Sequence, residues 1–296
     1  MEQVKKQHPQ TRVFILLLII LLSLTSKSSG SSSSESSKNT KHHFVLVHGS
    51  CHGAWSWYKV ITLLKSRGHN VTALDLAASG VNQKKASELK SISEYFEPLT
   101  KFMASLVDEG QRVVLVGHSF GGFAISYAME HFPHKISVAV FITAFMPSPL
   151  NVSTVYQMVI SELEPVQDNR FTYDKGFNKS ATIFIFGPYY LASRLYQCSP
   201  KQDWNLAITL MRPFRLFSNE DVTKVLTLSH AKYGSVSRVY VVSEKDVLIT
   251  PNLQRRIIKD NPPNRVVEIA GSDHMVMMSK PKDLYLQLQS IAANYD

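Results

Sequence analysis

From residue 43 onward, two kinds of hydrophobic pattern alternate along the chain. One kind is short and continuous. Phe44–Val47 (FVLV), Val71–Leu76 (VTALDL), Val113–Val116 (VVLV), Val138–Thr143 (VAVFIT), Val239–Val242 (VYVV) and Val266–Ile269 (VVEI) are brief runs rich in β-branched residues. Runs of this kind predict strands of a sheet buried on both faces. The other kind has helix length and covers residues 57–66, 91–108, 120–131, 251–259 and 280–293. In the second of these, Ile92, Tyr95, Phe96, Leu99, Phe102, Met103 and Leu106 recur at helical spacing, so one face is apolar. Strands and helices in alternation predict an α/β fold with a mostly parallel central sheet flanked by helices.

One stretch breaks the alternation. Residues 147–234 are aromatic-rich and mixed, with Phe171, Tyr173, Phe177, Phe184, Phe186, Tyr189, Tyr190, Tyr196 and Trp204. The stretch is too long for a loop without structure of its own. It predicts an inserted, mainly helical cap over the carboxyl ends of the strands. The body of the chain is thus residues 43–296, with the cap inside it.

The front of the chain has another character. Lys5, Lys6 and Arg12 precede an apolar run over residues 13–22 (VFILLLIILL). A membrane-spanning helix takes about 20 apolar residues; a signal-peptide core takes about 7–15 behind a basic start. Residues 1–29 therefore read as a secretory signal or a short anchor with membrane contact. An organelle transit peptide or a dispensable extension of a cytoplasmic protein is the alternative. Residues 30–42 are Ser-rich and read as a flexible linker. Sequons at Asn70, Asn151 and Asn178 are compatible with secretion.

Composition and charge narrow the picture. The chain has 296 residues and is 44% hydrophobic and 19% charged, so wholesale disorder is excluded. Its two cysteines, Cys51 and Cys198, cannot build a disulfide framework or a four-cysteine zinc site. The net charge of +9 invites a nucleic-acid reading. However, residues 1–43 hold six basic side chains against Glu2 and Glu35, so four of the nine net charges belong to the front. The rest is spread thinly, with no basic run interleaved with aromatics, and no nucleic-acid partner is expected.

The chemistry sits at the end of the third strand. Gly117-His118-Ser119-Phe120-Gly121, with Gly122 following, is G-x-S-x-G between a strand and a helical segment. In that context the small residues allow a tight turn that presents a serine hydroxyl above the sheet. A serine hydroxyl needs a positioned base, and in this arrangement an Asp/Glu and then a His follow the Ser in the chain. Asp246 lies just past the strand Val239–Val242, and His274 lies on the loop before the last helix. Glu244 competes with Asp246 but lies closer to its strand, while His118 and His131 belong to the elbow and its helix. The reading is Ser119 as nucleophile, His274 as base and Asp246 as the residue that orients it. The oxyanion of an acyl-transfer intermediate would be met by the backbone N–H groups of Phe120 and Ser50. Cys51, beside that loop, reads as a small packing residue without a base of its own.

These residues also carry a resemblance. Residues 48–55 (HGSCHGAW), 72–80 (TALDLAASG), 117–122 (GHSFGG), 186–188 (FGP), 195–197 (LYQ) and 273–275 (DHM) together resemble the plant methylesterase family, over about residue 43 to the end. The resemblance implies an α/β-hydrolase fold, no cofactor or metal, and the triad Ser119, Asp246 and His274. It also implies hydrolysis of small apolar methyl esters of plant hormones: methyl jasmonate, methyl salicylate or methyl indole-3-acetate. Met275, directly after His274, is a candidate substrate contact. The oligomeric state stays open, a homodimer being one option. Two rivals come with the family. Plant hydroxynitrile lyases carry a Thr after the first-strand His and a Lys after the catalytic His, where this chain has Gly49 and Met275. A thioether cannot steady a departing cyanide as an ammonium can. The other rival is a hormone-binding, receptor-like hydrolase with little turnover.

Overall fold

Every one of the six continuous apolar runs forms a strand of one parallel sheet in the computed structural model. The structure describes residues 40–295, except 108, 109, 111, 163–166, 175 and 177. The signal-like segment 1–29 and residues 30–39 of the linker lie outside the described residues. The strands are β1 (His43–Val47), β2 (Asn70–Leu74), β3 (Val113–His118), β4 (Ile136–Ile142), β8 (Arg238–Ser243) and β9 (Arg265–Ile269). Their order is β2-β1-β3-β4-β8-β9, and every neighbouring pair is parallel.

Burial follows position in the sheet. β3 is buried throughout, as are β1 after His43, β4 from Val138 on and β8 after Arg238. The edge strand β9 instead alternates, with Val266 and Glu268 turned outward, because an outer strand is covered on one side only. Parallel pairing has a direct consequence for chemistry: all six strands end at one side of the sheet, where ligands of open α/β sheets bind. The register brings Val47 level with Gly117, His118 level with Ile142, and Ser243 level with Ile269.

Helices Tyr58–Ser66, Ile92–Ser105, Gly121–His131, Pro251–Asp260 and Pro281–Asn294 accompany the sheet. Their starts are written locally. The Ser91 and Thr250 side chains accept from the N–H groups of Ser93 and Leu253, and Pro251 and Pro281 occupy the first helical turn, where a missing N–H costs nothing. The second helix stops at Ser105, short of the expected 108, as Leu106 turns to extended backbone.

The inserted stretch contains helices Val152–Glu162, Lys201–Leu210 and Asn219–Val225. It also contains something the helical expectation did not include: a three-stranded antiparallel sheet of β5 (Arg170–Thr172), β6 (Ile183–Ile185) and β7 (Phe214–Arg215). Strands of two or three residues are too short for a period-two pattern to be visible in sequence. They are held by cross-strand rings, with Phe171 opposite Phe184 and Phe184 opposite Phe214; the ring centroids are 6.1 and 5.6 Å apart.

Candidate active site

The turn after β3 is strained by design of its backbone. Ser119 has φ +53°, a conformation that side-chain-bearing residues rarely adopt. Its carbonyl accepts from the N–H groups of Gly122 and Phe145, and its own N–H donates to Ile142, so the strain is held by both neighbouring segments. The approach is so close that a Cβ on Gly122 would stand 2.1 Å from the Phe145 oxygen. Gly49 matters for a related reason: a Cβ there would lie 2.9 Å from Cβ and 3.4 Å from Oγ of Ser119. The loop after β1 therefore lies directly against the serine.

Asp246 and His274, 28 residues apart in sequence, form a buried pair. His274 Nδ1–H donates to Asp246 Oδ2 at 2.7 Å. The same oxygen accepts from the Thr143 hydroxyl at 2.5 Å. Oδ1 accepts from the N–H groups of Leu248 and Ile249 at 2.8 and 2.9 Å. Since a carboxylate only accepts, the proton of a neutral imidazole sits on Nδ1, which leaves Nε2 with its lone pair. Glu244, the sequence competitor, is exposed and accepts instead from the Gly271 N–H.

Three further histidines support this arrangement, and sequence reasoning gave none of them a structural task of this kind. His118 Nε2–H donates to the His274 carbonyl at 2.8 Å, and the two rings lie 4.7 Å apart. Burial, reinforced by His274, holds the His118 pKa well below the usual imidazole value. His48 accepts from the Leu76 N–H at Nε2, so its Nδ1–H donates to the Gly49 carbonyl at 2.7 Å. Burial lowers its pKa too. A trans peptide points its C=O and N–H in opposite directions, so this bond also aims the Ser50 N–H. His52 Nδ1–H donates to the Ser50 carbonyl at 2.9 Å, and burial pulls its pKa down to about 4. A histidine ending a strand, or in the loop just after one, is the available signal, but the partners Leu76, Tyr196 and His274 are remote in sequence.

Ser50 and Phe120 are both buried. Among the described residues, neither of their N–H groups donates to a backbone carbonyl. Met275 is fully buried, and its N–H donates to the Leu195 carbonyl of the cap. Cys51 is buried with φ +61°, and burial raises its thiol pKa strongly, which removes it as a nucleophile. Cys51 and Cys198 are both free thiols.

Most of the cap aromatics turn out to be cap core. Phe186 stacks on Tyr190, Phe184 meets Phe186 and Phe214 edge-on, and Phe214 packs against Phe120 of the elbow at 4.7 Å. Tyr189 is exposed. An open groove of about 610 Å³ runs along β5 and β6 beside Lys85, Arg170 and Arg212, but Ser119, Asp246 and His274 do not line it. Among the described residues, no group of three or more His, Cys, Asp or Glu side chains is placed to hold a metal ion.

A strained Ser-bearing elbow, an Asp–His pair at two other strand ends and a cap over them define an α/β hydrolase. The sequence matches the Alpha/beta hydrolase family over residues 44–288. It is 55% identical over 255 residues to methyl jasmonate esterase 1 of Vitis vinifera, covering 86% of this chain and 97% of that protein. It is 45% identical over 260 residues to methylesterase 2 of Arabidopsis thaliana, with 86% and 97% covered. The solved structure of tomato methylketone synthase I complexed with 2-tridecanone is 48% identical and superposes with a TM-score of 0.84, over 87% of this chain and all of that one. The chain belongs to the α/β-hydrolase family and, within it, to the plant methylesterase family.

Proposed function

We propose that this chain hydrolyses methyl esters of plant hormones, with methyl jasmonate the first substrate to test. It is a serine carboxylic ester hydrolase of the methylesterase family. The observation that carries the reading is the buried 2.7 Å Asp246–His274 bond at the strand ends that also present Ser119. The 55% identity to a relative named for methyl jasmonate sets the choice of ester.

In the proposed mechanism, His274 Nε2 takes the hydroxyl proton as Ser119 Oγ attacks the ester carbonyl. The Asp246 carboxylate holds the imidazole in the required tautomer and stabilises it once protonated. The oxyanion of the tetrahedral intermediate accepts from the Ser50 and Phe120 N–H groups, each such donor being worth roughly 3–4 kcal/mol of barrier. His274 returns the proton to the departing methoxide, and methanol leaves. Water, deprotonated by the same imidazole, then cleaves the acyl-enzyme to the free acid. Met275, buried beside His274, is assigned to the wall that receives the acyl group. Residues 1–29 are read as a secretory signal or a short membrane anchor, which a fluorescent fusion tests by its location.

The deciding experiment is a panel of methyl jasmonate, methyl salicylate and methyl indole-3-acetate, assayed with wild type and Ser119→Ala. Turnover of at least one ester by wild type, lost by roughly 10⁶-fold in the variant, is expected. Equal turnover by the two proteins would refute the mechanism. Ligand binding without turnover would return the receptor reading, and cyanide release from mandelonitrile the lyase reading.

A further inference from the structure

Three separate loops carry the groups assigned to the reaction: the oxyanion loop after β1, the acid loop after β8 and the base loop after β9. In sequence they are far apart, and none of them could set its neighbour's position through the chain. One short piece of the cap touches all three. It begins in a stretch of wide helical turn, Leu191–Leu195, and ends before helix Lys201–Leu210.

The contacts are specific and spread along consecutive residues. The Leu195 carbonyl accepts from the Met275 N–H, directly after the base. The Tyr196 hydroxyl lies 2.8 Å from His52 Nε2. Because His52 Nδ1–H is already committed to the Ser50 carbonyl, Nε2 is the acceptor and the tyrosine the donor. The ring of His52 also contacts those of Trp55 and Tyr196, with centroids 5.3 and 5.9 Å away and planes within 28° and 17°. The Gln197 side-chain amide donates to the Lys245 carbonyl at 2.7 Å, next to Asp246. The Cys198 N–H and the Ser199 hydroxyl both donate to Asp273 Oδ2, at 2.9 and 2.8 Å, next to His274. Tyr196, His52 and Asp273 are buried, so these bonds do not compete with water.

We infer that Leu195–Ser199 is a positioning clasp, which holds the oxyanion, acid and base loops in their working register through Tyr196, Gln197 and Asp273. Tyr196 acts through His52 on the Ser50 peptide, and Asp273 acts on the segment that carries His274. None of the three touches the reacting atoms; they are positioning residues. The inference rests on the ester-hydrolase reading for the meaning of "working", while the clasp itself is a statement about geometry. Displacing a reacting group by about 1 Å costs roughly 10²-fold in rate, which bounds the expected effect.

The test uses the full chain with Tyr196→Phe and, as an exposed variant that leaves the core alone, Gln197→Ala. The first readout is amide hydrogen exchange over residues 48–53, 244–247 and 272–276, which does not depend on turnover. Tyr196→Phe is expected to speed exchange in the first window and Gln197→Ala in the second, each leaving the central strands protected. The second readout is kinetic. For Tyr196→Phe, kcat is expected to fall roughly 10- to 100-fold with KM within about twofold. Affinity for a trifluoromethyl ketone, whose hydrate anion mimics the oxyanion, is expected to fall in step, while affinity for the product acid holds. Unchanged exchange in both windows overturns the clasp whether or not the protein turns over any ester. So does a wild-type kcat in Tyr196→Phe. A wild type inactive on every ester would strike the function proposed above and leave the exchange experiment to decide the clasp.

Discussion

The central sheet and the cap are built on different principles. The sheet is long-range and regular: six parallel strands, buried Val, Ile and Leu, and backbone bonds that fix where each strand ends. Its loops place a serine in a strained conformation and a carboxylate with four donors around it. The cap is local and aromatic: short helices, strands of two or three residues, and Phe184, Phe186 and Phe214 packed on one another. The chemistry therefore rests on the part whose geometry is hardest to deform. The cap closes over it through a few bonds and ring contacts. Changes at Asp246 should remove reaction at nearly constant stability, and changes in the aromatic core of the cap should do the reverse, the Leu195–Ser199 clasp being the part of the cap tied to the loops of the body.

The largest expected effect tests the body. Asp246→Asn should cut kcat by about 10⁴-fold, because the amide admits the wrong imidazole tautomer. Its circular dichroism spectrum should match that of the wild type. A folded variant with near-normal kcat would break the comparison.

Phe184→Ala tests the cap. It removes a fully buried ring at the meeting point of the cap aromatics, and an unfolding titration should show a loss of about 3–5 kcal/mol. What turnover remains in the folded fraction should show a raised KM more than a lowered kcat.

Acid sharpens the comparison, since His118 precedes the serine, His48 and His52 lie in the loop after β1, and burial lowers the pKa of all three. Their folded pKa values lie below the unfolded value of about 6.5. Between the two, the unfolded chain binds more protons, so stability falls as pH drops. For His52 the window runs from about 6.5 down to about 4, and its share amounts to about 3 kcal/mol. Melting temperatures from pH 7 to 4 should decline, and His52→Gln should flatten the slope. A profile level over that range would mean these rings do not need to be neutral.

The smallest effect is a control on the sheet edge. Arg255 and Glu268 form an ion pair 2.6 Å apart with both side chains largely exposed. Arg255→Ala should change stability by less than about 1 kcal/mol and kcat not at all; a larger loss would show that the edge of the sheet is less independent of the site than the body–cap contrast implies.

Much of this is legible in the sequence. The six strands are visible because each is a continuous apolar run, and the elbow is visible because Gly117, Ser119 and Gly121 sit between a strand and a helix. Asp246 and His274 were legible because in a parallel sheet a residue's place after its strand is also its place in space. The cap was legible only as an interruption. Its three-stranded sheet is not legible because two or three residues show no periodicity.

The sequence by itself thus determined the α/β architecture and the serine elbow, and it pointed to Asp246 and His274 as the pair that meets at two other strand ends, since each depends on a local pattern or on chain order. Only the tertiary structure decided the supports: Thr143 on Asp246, His118 on the His274 carbonyl, His48 on Gly49, and the Leu195–Ser199 segment across three loops. These are hydrogen bonds, all but the His48–Gly49 bond between groups 48 to 156 residues apart. A donor and an acceptor leave no periodic trace in a sequence; they become a pair only when the fold buries them side by side and denies them water.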